Sequence, residues 1–213
     1  MKYEPEKHHR HSLRLKNFDY AQTGAYFVTV VTQHRICLFS DIINSEAQLS
    51  AAGTMLQAVW SELPIHYSGI KTDVFVVMPN HFHGIIFLVG ATPRGCPSPG
   101  QAQGLVPTAM SLPDVLHRFK TLATKRYTDG VKQSGWSPFA GRLWQRNYYE
   151  HVIRDEESLN RIRQYIADNP MHWEFDPENP DTKTLNKGKE GDRSLDSARD
   201  TELVEVPVTL RRM

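Results

Sequence analysis

Apolar and polar positions follow two different periods along this chain. From Ala25 the run AYFVTVVTQHR is dense in β-branched and aromatic residues and predicts a strand. Between Glu46 and Leu63, apolar Leu49, Ala52, Leu56, Val59 and Leu63 recur at steps of three and four, which predicts a helix. The next block, DVFVVMPNHFHGIIFLV, holds strand-like runs at Val74–Met78 and Phe82–Val89. Pro79-Asn80 between them is a turn signal, so the block predicts an antiparallel hairpin.

The pattern lapses from about 90 to 108, where Pro, Gly, Ser and Gln dominate and a flexible insertion is expected. Helical spacing returns from Ser111 to Tyr127, with Leu112, Val115, Phe119 and Leu122 on one side. Residues 136–155 are aromatic and basic and suggest a short strand among loops. Asp155-Glu156-Glu157 opens a further helix, acids being favourable in a first turn; Leu159, Ile162 and Ile166 form its stripe, and Pro170 stops it after Asn169. Residues 1–20 form a polar, basic arm, and residues 176–213 a polar tail expected to be largely disordered. The elements between them, in residues 21–175, make one α+β domain.

Composition changes this picture little. With 213 residues, 39% hydrophobic and 23% charged, the chain suits one soluble domain with a core. Cys37 and Cys96 lack zinc-ligand spacing and are too few for a disulfide framework. The N-terminus has no apolar signal core, and the longest apolar stretch, Ile85–Val89, is far short of a bilayer span. No membrane association is therefore expected, and a cytoplasmic setting is the default. The formal charge of +1 averages unlike parts: residues 1–175 carry +3, and the stretch 176–205 is acidic, with nine acids against five bases. Between Ser111 and Arg154, eight Lys or Arg face three acids and are interleaved with aromatic residues. That pattern reads either as a solvated helix face or, better, as a phosphate-binding surface.

The chemistry concentrates at His81-Phe82-His83. In a strand, positions i and i+2 share a face, so both imidazoles stand side by side while Phe82 enters the other face. The pair is suited to ligating one divalent cation, although two histidines in a strand equally serve as hydrogen-bonding residues. Tyr165 and Asn169, four apart on the last predicted helix, place a phenol and an amide one turn from each other.

These residues carry a resemblance. PNHFHGIIFL, followed by LWQRNYYEHVIRDEESLNRIRQYIADNP and preceded by RLKNFDYAQTGAYFVTVVTQHR, is similar to the single-tyrosine HUH transposases, and among them to the REP-associated tyrosine transposases. The similarity spans roughly residues 10–175. It implies a ferredoxin-like or RRM-like antiparallel sheet of four or five strands with packed helices. It also implies Tyr165 as nucleophile, His81, His83 and Asn169 as metal ligands, and Mg²⁺ or Mn²⁺ as the cofactor. The implied activity is cleavage and rejoining of single-stranded DNA at hairpins of palindromic repeats, through a 5′-phosphotyrosine. Arg14, Arg118, Lys120, Lys125, Arg126, Arg146 and Arg154 are the candidate DNA contacts. The resemblance leaves monomer and homodimer both open.

Tyr148-Tyr149 superficially suggests a two-tyrosine enzyme, but neighbours in a strand face opposite ways, so packing or base stacking suits them better. His151 is a candidate acceptor of the Tyr165 proton, with a core hydrogen-bonding role as the alternative. Two rival activities stand beside the transposase reading: a metal-dependent nuclease in which water attacks, and a non-catalytic DNA-binding relic. Finally, SLDSARDTELVEVPV and GQAQGL resemble peptides read from interspersed palindromic repeats.

Overall fold

The computed structural model describes residues 20–89 and 110–182. The basic arm with Arg14, the 90–108 insertion, Cys96, the tail beyond 182 and both repeat-like peptides lie outside the described residues. Four strands form one antiparallel sheet: β1 (Gly24–Val31), β4 (Ile70–Val77), β5 (His81–Leu88) and β6 (Tyr149–Ile153), in the order β4-β5-β1-β6. Three helices pack on it: α1 (Ala51–His66), α2 (Leu112–Ser134) and α3 (Glu156–Asp168). The architecture is the expected α+β one, with four strands in the main sheet. A separate ribbon pairs β2 (Ser40–Ile43) with β3 (Glu46–Leu49).

Strand alternation decides what each face holds. On β5, Phe82 points to the side of α1 and α2 and is fully buried among Trp60, Phe75 and Phe119. Burial of such a ring is worth about 1.5–3 kcal/mol. Gly84 is required here: a Cβ on it would lie 2.6 Å from Trp60 Cζ2, so only glycine lets the indole lie against the strand. The opposite face carries Phe27 and Ile85, against which Ile162 and Ile166 of α3 close a second core. A pair between Arg163 and Asp73, at 2.6 Å, ties α3 to β4. Two cores, one per face, thus fix β5 from both sides.

The structure departs from the sequence reading at three places. The helix expected from Glu46 starts at Ala51, because Glu46–Leu49 is spent as strand β3. Asn44 and Ser45, both with positive φ (51° and 65°), form the tight turn that a two-residue hairpin requires. Ser50 then caps α1 by accepting from Gly53 N at 3.1 Å. Helix α2 runs past Tyr127 to Ser134, where Gly135 at φ 67° ends it. Lastly, residues 176–182 belong to the fold: Asp176 and Asn179 are buried, and Asn179 Nδ2 donates to Trp173 O at 2.9 Å.

Candidate functional site

The hairpin between β4 and β5 delivers the histidines. Met78 N donates to His81 O at 2.9 Å across the Pro79-Asn80 turn, and Leu38 N and Phe39 N both donate to Pro79 O. β5 then pairs with β1, setting Val31 opposite His81 and Thr29 opposite His83. Both imidazoles are buried on the α3 face, with Nε2 of one 3.0 Å from Nε2 of the other.

Their tautomers follow from their neighbours. Asn80 Nδ2 donates to Arg35 O at 3.1 Å and to Glu178 O at 2.8 Å, so the Asn80 carbonyl is fixed as an acceptor. That carbonyl lies 2.9 Å from His81 Nδ1, which must therefore carry the proton and leave the Nε2 lone pair aimed at His83. Thr29 Oγ1, 2.8 Å from His83 Nδ1, can donate or accept, so its hydroxyl suits either tautomer of His83. Without a cation, His83 Nε2–H donates to His81; with one, the His83 proton belongs on Nδ1, donated to Thr29.

Burial keeps both rings uncharged. It pushes His81 down to about 3, with Asn169 beside it acting weakly the other way, and burial followed by the proximity of His81 holds His83 well below the usual range. Around them, Asp176 is buried with Oδ2 3.8 Å from His81 Nε2. The ligand atoms of His81, His83 and Asp176 all lie within 4.8 Å of one another. Asn169 is also buried, and its Oδ1 has no hydrogen-bond partner among the described residues. Facing imidazole nitrogens, a buried carboxylate and an orphaned amide oxygen fit a divalent cation.

Sequence reading missed Asp176, since its polar surroundings resemble a tail. The available signal was WEFDPENP, where closely spaced turn formers follow two aromatic residues.

Tyr165 comes from α3 on the same face. Its ring meets His83 edge-on at 5.5 Å and Phe27 at 5.9 Å, while Phe27 stacks on His83 at 5.3 Å. Tyr149, opposite Thr29 on β6, packs into the same core, and burial raises its pKa. His151, opposite Phe27, shares that face; burial and the nearby Arg154 lower its pKa.

The basic residues separate by role. Helix α2 packs against Phe82 and Trp60, across the sheet from the imidazoles. On it, Arg126 makes a bidentate pair with Glu62 of α1 at 2.9 and 2.6 Å, and Arg118 lies over the Tyr67 ring at 5.1 Å. Lys120 Nζ donates to the carbonyls of Gln145, Arg146 and Asn147, and burial pushes it down to about 8. Lys125 is exposed. Arg142, Arg146 and Arg154 are exposed with no ion pair among the described residues. Arg142 and Arg146 line an open cleft of about 560 Å³ with Gln33, His34, Gln145 and Asn147. No described helix is long and apolar enough to cross a membrane.

No protein-family model matches the chain. An uncharacterized protein of Haemophilus influenzae is 37% identical over 182 residues, covering 82% of this chain and 96% of that protein. A second protein of that organism, described as a candidate REP-associated tyrosine transposase, is 25% identical over 156 residues, covering 72% of this chain and 73% of its own. Among solved structures, a REP-associated tyrosine transposase bound to a REP hairpin is 18% identical, with 74% of this chain and 73% of that chain covered, at a TM-score of 0.47. A crystal structure of a candidate transposase from Deinococcus radiodurans is 20% identical, with 73% and 97% covered, at a TM-score of 0.39.

Proposed function

We propose that this chain, which belongs to one family with the uncharacterized Haemophilus influenzae protein and is distantly similar to the REP-associated tyrosine transposases, cleaves and rejoins single-stranded DNA through a covalent tyrosine link. The observation that carries this reading is the convergence of His81, His83, Asp176 and Asn169 beside Tyr165. The neutral histidines and the two oxygen donors would hold Mg²⁺ or Mn²⁺, which supplies Lewis-acid polarisation of the scissile phosphate. Asp176 adds the carboxylate that a site of histidines and amide alone lacks for such hard cations.

Tyr165 Oη forms the new bond to phosphorus as the bond to the 3′ oxygen breaks, and the proton lost by the phenol is balanced by the one gained at the freed 3′-OH. The phosphodiester energy is kept in the 5′-phosphotyrosine, so attack by another 3′-OH reverses the step without ATP. Tyr165 already abuts His83 within one chain, which supports a site assembled in a single subunit. His151, on the same sheet face and held toward its neutral form by burial, is the candidate for taking the phenol proton. The uncompensated Arg142 and Arg146 favour an approach of DNA from the 140–147 side, with hairpin-bearing strands as the substrate class.

Labelled hairpin-bearing single-stranded DNA, incubated with the protein and Mn²⁺, tests this. An SDS-resistant adduct that disappears in Tyr165→Phe is the expected result. Cleavage that survives Tyr165→Phe assigns the attack to water, and binding with no cleavage leaves only a DNA-binding module.

A further inference from the structure

The segment after α3 is held against the metal-ligand cluster by a small set of contacts remote in sequence. Asp176 Oδ1 accepts from Glu178 N at 2.6 Å, and Asn179 N donates to Asp176 O at 3.0 Å, so the carboxylate sits in a closed turn. Thr182 Oγ1 donates to Asp176 O and to Glu174 O, closing the turn from its far end. Two ties fix this strap to the rest of the fold. Arg35 Nε donates to Glu178 Oε2 at 2.7 Å, and Asn80 Nδ2 donates to Glu178 O at 2.8 Å.

Both ties come from the same place. The Asn80 amide that receives the His81 proton also holds the strap and the turn at residues 33–35. In that turn His34 and Arg35 have φ of 61° and 57°, a left-handed conformation that non-glycine residues adopt at a cost. What the strained turn achieves is visible: it aims the Arg35 carbonyl at Asn80 and the Arg35 guanidinium at Glu178.

We propose that Arg35, Glu178 and Asn80 are positioning residues that hold Asp176 as the carboxylate ligand of the divalent cation. Affinity for the metal is then set partly by an ion pair that touches no metal. The proposal rests on the reading of the cluster as a metal site, and goes beyond it by naming what makes the fourth donor available.

Isothermal titration of the full chain with Mn²⁺, after EDTA treatment, tests it, with free Mn²⁺ followed in parallel by its EPR signal. Glu178→Gln removes the ion pair while keeping the backbone carbonyl that Asn80 uses, at a side chain that is partly exposed. It is expected to weaken Mn²⁺ binding about tenfold, the usual scale for residues that orient ligands. Asp176→Asn should weaken it at least as much. The double variant should bind no more weakly than Asp176→Asn alone, because the pair acts through that carboxylate. Losses that multiply in the double variant overturn the proposal. So does Glu178→Gln with unaltered Mn²⁺ affinity, including when its melting temperature falls, since that marks a merely structural role. Failure of the wild type itself to bind Mn²⁺ removes the metal-site reading and this proposal together, and the wild-type titration separates that case from the others.

Discussion

The Tyr165 ring stands 5.5 Å from the His83 ring, centroid to centroid, and 62° from its plane. That relationship follows from ordinary packing: Ile162 and Ile166 seat α3 on the sheet face that also carries the imidazoles, and Tyr165 lies between them in sequence. Tyr165→Phe keeps the ring and its edge contact with Phe27, so the fold should persist while adduct formation is lost. Tyr149→Phe, on the same face, is the matched control and should retain the adduct. An adduct that survives Tyr165→Phe and is lost in Tyr149→Phe would move the nucleophile to β6.

Thr29 is predicted to govern metal affinity through His83. Its hydroxyl is the only group recorded on His83 Nδ1 among the described residues. Thr29→Val keeps the shape and removes the hydrogen-bond partner, leaving a buried ring nitrogen unsatisfied. Mn²⁺ affinity should fall roughly tenfold, and Thr29→Ser should recover most of it. Equal affinities for Val and Ser would show that the hydroxyl does not orient the ligand.

Acid should destabilise the metal-free protein through the same histidines. Their folded pKa values are depressed, to about 3 for His81 and well below normal for His83. Below pH of roughly 6.5 the unfolded chain takes up protons that the folded chain refuses, so stability falls as pH falls; His81 contributes about 1.4 kcal/mol per pH unit, and His83 acts in the same direction. Melting temperatures in EDTA between pH 7 and pH 5 measure this. The slope should be shallower in His83→Gln; a slope that stays as steep would place the acid sensitivity elsewhere.

How far the sequence foretells these features depends on how local their causes are. The shared face of His81 and His83 is legible because strand alternation alone produces it. The one-turn spacing of Tyr165 and Asn169 is legible for the same reason on a helix. The ribbon Ser40–Leu49 is not, since Leu49 happens to continue the helical period of α1, and only the left-handed turn at Asn44-Ser45 decides for a strand. Asp176 is less legible still: its place in the site depends on Arg35, 141 positions earlier, and on Asn80, contacts that no local pattern encodes. The basic residues of α2 follow the same rule, because composition records their charge and not their partners.

Those partners set the last prediction, which concerns DNA. Arg126 is committed to Glu62 on the far side of the sheet, whereas Arg142 and Arg146 face an open cleft without acids to neutralise them. On single strands each phosphate-contacting cation contributes about 0.7 units to the dependence of log K on log salt. Arg146→Ala and Arg142→Ala should therefore weaken binding of single-stranded DNA and each flatten the salt slope by about 0.7. Arg126→Ala should lower the melting temperature and leave the slope alone. Lys120→Met makes the sharper discrimination. It removes a donor shared by three carbonyls at residues 145–147, so the segment bearing Arg146 loosens and affinity falls. Because Lys120 acts through that backbone, Lys120→Met combined with Arg146→Ala should bind little worse than Arg146→Ala alone. Independent losses from the two substitutions, each with its own share of the salt slope, would instead make Lys120 a direct phosphate contact.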